Sequence, residues 1–128
     1  MKYLLDTHAL LWWLVDDKQL PRKVRSLIGD PANQVFVSSA SAWEIATKFR
    51  LGKLPSAEIL VQDIPGWVER AGFVELMISI RHAQRAGSFA QPHRDPFDRM
   101  LAAQSEMEGL SLITNDEALD RFGIHTVW

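Results

Sequence analysis

The chain has 128 residues, no cysteine and a formal net charge of −2. That length supports one domain, residues 1–128, with a proper core. The absence of cysteine excludes disulfides, thiolate metal sites and cysteine nucleophiles, and the charge balance excludes a globally basic nucleic-acid binder, so any such binding must use a local patch.

Lys2 to Leu5 is a short apolar run that ends at Asp6-Thr7-His8, the pattern of a buried strand breaking into a helix. The run is too short for a signal peptide, because Asp6 and His8 interrupt it and no small-residue cleavage site follows Val15. No stretch approaches the ~18–20 apolar residues of a membrane helix, so a cytoplasmic protein without a membrane partner is expected. Leu10, Leu11, Trp13, Leu14 and Val15 form one helical face, and Trp12 makes the segment apolar nearly all round. Pro21 starts a second helix that ends at Gly29-Asp30-Pro31, and Gln34 to Ser38 reads as a second buried strand.

Ser39 to Leu51 is a third helix closed by Gly52, with Ser41 and Glu44 spaced as a capping box. Ser56 to Ala71 is mostly helical, interrupted by Pro65-Gly66. Phe73 to Leu76 can form a strand, Ser79 caps a short helix carrying Arg81 and Arg85, and Gly87 to Pro92 is a loop. Asp95 suits an N-cap and Pro96 the first helical position, so a helix begins here and runs to about Glu108, with Gly109 as terminator. Ser111 to Thr114 is a further buried strand, followed by a short helix from Asp116 to Phe122 and a last strand from Ile124 to Trp128. Strands alternating with helices predict a three-layer α/β fold with a small parallel sheet flanked by helices.

In such folds functional groups collect beyond the carboxyl ends of the strands. That rule selects Asp6, Glu44, Asp98 and Asp116. Singly, each has an ordinary structural explanation as a helix cap or as a charge answering a helix dipole. As a set, carboxylates at one sheet edge repel and raise one another's pKa unless a cation neutralises them. An all-oxygen site suits Mg²⁺ or Mn²⁺ better than Zn²⁺. Such an ion orients and polarises a phosphate and lowers the pKa of an attacking water, which is the chemistry of phosphodiester hydrolysis.

The four histidines, His8, His82, His93 and His125, form no zinc pattern; His8 and His93 flank the acids and can support them from behind, but solvated loop residues are the preferred reading. Lys48 shares a helix face with Glu44, Arg99 adjoins Asp98, and Arg94 precedes the helix. These three can grip a phosphate backbone, or they can be an ordinary ion pair and two solvated arginines; the sequence leaves both open. Lys53, Arg81 and Arg85 read as plain surface.

Four stretches, Tyr3-Leu4-Leu5-Asp6-Thr7-His8, Ala42-Trp43-Glu44-Ile45, Asp95-Pro96-Phe97-Asp98-Arg99-Met100-Leu101-Ala102-Ala103-Gln104 and Leu112-Ile113-Thr114-Asn115-Asp116, together resemble the successive motifs of PIN-domain nucleases, most of all the VapC toxins of bacterial toxin–antitoxin pairs. The resemblance spans nearly the whole chain. It implies a Mg²⁺- or Mn²⁺-dependent ribonuclease with an acidic site at Asp6, Glu44, Asp98 and Asp116, with Asp95 left as the helix cap and Thr114 supporting Asp116. It also implies an RNA substrate, a homodimer and inhibition by a small cognate antitoxin. Lys48, Arg99 and Thr114 are the expected substrate contacts. Trp43 is expected in the core, and Trp12 or Trp13 at an interface. The competing readings are a non-catalytic binding protein of the same fold and a phosphatase using Asp6 as nucleophile; His8 stands where the latter's motif has a second aspartate.

Overall fold

The computed structural model describes all 128 residues. Five parallel strands lie in the order β3-β2-β1-β4-β5: β1 (Lys2–Leu5), β2 (Gln34–Ser38), β3 (Val74–Leu76), β4 (Ser111–Ile113) and β5 (Thr126–Val127). Six helices complete the chain: α1 (Thr7–Leu14), α2 (Arg22–Gly29), α3 (Ser39–Arg50), α4 (Ile64–Arg70), α5 (Ile80–Ser88) and α6 (Pro96–Glu108), with 3₁₀ segments at Pro55–Ala57, Leu60–Gln62 and Glu117–Phe122. The expected α/β architecture is therefore present.

Alternation along the strands divides the interior in two. Tyr3, Leu5, Val35, Val37 and Ile113 point to one face, where they meet Leu10, Val24, Ile28 and Ile45 from α1, α2 and α3. Leu4 and Leu112 point to the other and meet Leu101 and Ala102 of α6, Ala86 of α5 and the 3₁₀ residues Leu119 and Phe122. Each large aliphatic side chain fully buried in this way contributes about 1.5–3 kcal/mol relative to exposure. The twofold period of a strand thus explains why central β1 carries three consecutive buried residues, Tyr3, Leu4 and Leu5.

Helix α6 starts and stops as read from the sequence. Asp95 Oδ1 accepts from the amides of Phe97 and Asp98, and Gly109 closes the helix in the left-handed conformation, φ 65°. Three local expectations are corrected. Strand β2 runs into α3 without a loop, so Ser38 caps the helix through the Ala40 amide. The Ser41–Glu44 capping box is therefore absent, and both residues lie inside the helix. Pro65 sits in the first turn of α4 and begins the helix instead of interrupting one, Asp63 supplying the cap. Finally, Trp43 is 60 % exposed, not in the core, and meets Phe97 edge-on at 4.8 Å. Trp12 and Trp13 are half-buried against Trp128 and Phe73.

Candidate active site

Register places the first acid. Leu5 pairs with Ile113, so Asp6 and Thr114 emerge side by side beyond β1 and β4, and the Asp6 amide donates to the Ile113 carbonyl at 3.0 Å. Asp6 then caps α1, its Oδ1 accepting from the Ala9 amide at 2.7 Å. Burial pushes its carboxyl above the ordinary range, against the opposing pull of the Thr114 hydroxyl and the Ala9 amide; the nearby Glu44 charge raises it further.

Glu44, buried in mid-α3, is held on both oxygens. Thr7 Oγ1 donates to Oε1 at 2.6 Å, and Lys48 Nζ lies 2.6 Å from Oε2. The buried Ser41 hydroxyl lies 3.1 Å from Thr7 Oγ1. This network ties the start of α1 to α3. The hydrogen bond to Glu44 raises the Lys48 pKa, with the charges of Glu44, Asp95 and Asp98 adding to it.

Asp98, in the first turn of α6, is partly buried, and burial pushes its carboxyl up to about 6. Asp95 and Glu44 raise it as well, while His93, whose Nε2 lies 2.9 Å from Oδ2, opposes them by favouring the charged form. Glu44 is thus the common neighbour, acting on both Asp6 and Asp98. Asp116 stands apart at the exposed rim. It caps the 3₁₀ segment through the Ala118 amide, its own amide donates to Thr114 Oγ1 at 3.1 Å, and it shares an acidic hollow of about 240 Å³ with Glu117 and Asp120.

Two of the expected substrate contacts have other work. The Arg99 guanidinium donates to five backbone carbonyls, those of Ala86, Gly87, Phe89, Gln91 and His93, leaving no N–H for a phosphate. Thr114 is buried and faces Asp6. Lys48 is partly exposed and remains within reach of solvent. His93 is a correction of the opposite kind: its side chain is largely covered and bonded to Asp98, not solvated. Thr7 is the neighbour of the acids that residue types did not select, adjacency to Asp6 being its only signal, whereas the sequence already marks His93 as flanking them.

No group of three or more acidic or histidine side chains is gathered tightly enough to hold an ion. Glu44 is turned to Thr7 and Lys48, and Asp98 to His93. The donor chemistry nevertheless fits a hard divalent cation: oxygen only, partly desolvated, and mutually repulsive through Glu44. Ligation by Glu44 requires it to exchange part of its present partners for the ion, whereas Asp98 has no hydrogen-bond donor on Oδ1.

Comparison with known proteins bears on the family and the fold. A stretch of 70 residues is 34 % identical to ribonuclease VapC16 of Mycobacterium tuberculosis, covering 55 % of this chain and 50 % of that protein. The chain thus aligns with about half the length of this curated relative. Three solved structures share the fold at low identity. VapBC2 from Rickettsia felis, bound to a DNA fragment from its promoter, superposes with a TM-score of 0.71 at 16 % identity, over 99 % of this chain and 98 % of that one. VapBC-1 from nontypeable Haemophilus influenzae gives 0.67 at 17 % identity, over 99 % and 97 %. FitAcB from Neisseria gonorrhoeae gives 0.58 at 20 % identity, over 100 % and 97 %. The model of the PIN domain family matches residues 3–124, from the first strand almost to the last, and the chain belongs to that family.

Proposed function

We propose that this protein is a divalent-metal-dependent endoribonuclease of the VapC kind, a toxin held in check by a small cognate antitoxin. What supports the reading is that Asp6 follows β1, Glu44 lies in α3 and Asp98 heads α6, near enough for the Glu44 charge to act on both aspartates, whose carboxyls burial pushes upward. A partly buried acidic group of this sort is costly to keep ionised without a cation. Asp6, Glu44 and Asp98 would hold Mg²⁺ or Mn²⁺, with Asp116 completing the set from the rim. When bound, the ion supplies Lewis acidity toward a phosphodiester.

The chain's own groups have separate tasks. Thr7 fixes Glu44, the Ala9 amide fixes Asp6, and Lys48, released from Glu44, offers an ammonium to the phosphate. Two apolar surfaces suit the expected partners. The cavity of about 330 Å³ between α1 and residues 54–60, lined by Leu11, Trp12, Val15, Leu54 and Ile59, suits an inserted antitoxin segment. Exposed Trp43 on α3, Met77 and Ile78 in the connection after β3, and Ile80 at the start of α5 suit a second copy. No helix is long and apolar enough to cross a membrane, and a cytoplasmic site of action accords with an RNA substrate.

The test is incubation of the purified protein with total RNA, with Mn²⁺ or with chelator. Cleavage that needs the ion and is lost in Asp98→Asn supports the reading; cleavage at the parent rate by folded Asp98→Asn overturns the site. The engagement of Glu44 by Lys48 and of Asp98 by His93 favours one second reading, a non-catalytic binding protein of the same fold. It is distinguished by failure to bind Mn²⁺ at all.

A further inference from the structure

Residues 89–95, between α5 and α6, have no regular secondary structure, yet they deliver His93 to Asp98. Arg99 holds this segment. Its Nε donates to the Ala86 carbonyl at 2.7 Å, Nη1 to Gln91 and His93, each at 2.8 Å, and Nη2 to Phe89 at 2.6 Å and Gly87 at 3.4 Å. All five donors of the fork are used, and all five acceptors lie between residues 86 and 93. Two belong to the last turn of α5, where carbonyls lack helical partners and a cation is favoured. A lysine has only three donors on a compact head and cannot span this set.

His93 is then fixed from three sides. Arg99 takes its carbonyl, Phe122 packs edge-on against its ring at 5.5 Å, and its Nε2 lies 2.9 Å from Asp98 Oδ2. Asp98 and Arg99 are consecutive in one turn of α6, so a single rigid turn grips the histidine by backbone and by ring. His93 occupies only Oδ2; the hydrogen bonds of Asp98 include no donor to Oδ1.

We propose that Arg99 is a positioning residue: by clamping residues 86–93 it holds the His93 ring against Asp98 Oδ2, which fixes the orientation of the carboxylate and leaves Oδ1 for a divalent cation. The cation half of this proposal rests on the function proposed above; the clamp half does not. Partners that orient a metal-ligating carboxylate commonly change metal affinity about 10–100-fold when removed.

The experiment is a double-mutant cycle on the full chain with Mn²⁺ alone as probe, read by calorimetry, together with the imidazole ¹⁵N–¹H spectrum of the metal-free protein. Arg99→Lys and His93→Ala should each weaken Mn²⁺ binding about tenfold or more, and the double variant no further than the weaker-binding single one, because both act through one contact. In the parent the His93 ring should show one tautomer with the proton on Nε2, and in Arg99→Lys this signal should broaden or average. Arg99→Gln serves in its place if the lysine variant is poorly folded. Multiplicative losses in the double variant, Mn²⁺ binding within twofold of the parent in Arg99→Lys, or an unchanged His93 signal each overturn the proposal. If the parent itself binds no Mn²⁺, the metal reading fails, while the imidazole spectrum still decides whether Arg99 fixes His93.

Discussion

The two halves of the acidic site are built differently. Asp6 and Glu44 are buried, and backbone register and helix packing place them: Asp6 follows from the pairing of Leu5 with Ile113, and Glu44 from the contact of α1 with α3 through Thr7. Asp98 is partly exposed, and a loop segment delivers its partner His93, while Asp116 lies on the open rim. One half is fixed by strand register and helix packing; the other lies nearer solvent and is held through the loop that Arg99 clamps. On the proposed reading, the first would anchor an ion and the second would leave an accessible side for a polymer that must enter and leave.

Substitutions can break this contrast. The largest expected effect is on activity: Asp6→Asn and Asp98→Asn should each lower RNA cleavage on the order of 10²–10³-fold or more, read in a fluorogenic RNA assay, while circular dichroism stays that of the parent. The halves should then separate in stability. Thr7→Val leaves buried Glu44 short of a donor and should cost about 1–3 kcal/mol in urea unfolding. Asp95→Ala removes the cap of α6 and should cost about 1 kcal/mol. Equal losses would mean that the buried half is no more tightly built than the other.

A smaller effect sharpens the contrast through pH. In the fold the Asp98 carboxyl sits at about 6, above the ~3.9 of an unfolded aspartate, so the folded protein holds its proton more tightly. The stability this group contributes is fully present below about pH 4 and is lost as pH rises through 6. The stability of metal-free Asp98→Asn relative to the parent should therefore rise from pH 4 to pH 7, measured by thermal unfolding. Because ligation needs the carboxylate, Mn²⁺ binding should run the opposite way and weaken as pH falls through about 6. Exposed Arg81 and Lys53 are the controls, and their alanine variants should alter stability by no more than about 0.5 kcal/mol.

What the sequence disclosed divides along similar lines. The parallel α/β order, the helix opened by Asp95-Pro96 and ended by Gly109, and the acids following β1 and β4 were legible because local chemistry decides them. The start of α3 at Ser39 was legible, but its cap was misread because Ser41 and Glu44 have capping spacing, whereas the strand feeds the helix directly and Ser38 is already the cap. The destinations of Trp43 and Arg99 were not legible. Composition makes one apolar and the other a phosphate ligand, but only the packing of α3 on α6 leaves the indole outside, and only the carbonyls of residues 86–93 saturate the guanidinium. Long-range neighbours decide such side chains, and residue spacing carries no trace of them.

The most direct test of the central claim, that Asp6, Glu44 and Asp98 share one cation, is calorimetric titration of the metal-free protein with Mn²⁺ at pH 7.5, beside the Glu44→Gln variant. Saturable binding by the parent that is lost or strongly weakened in Glu44→Gln is the expected result. No binding by the parent, or equal binding by both proteins, would contradict it.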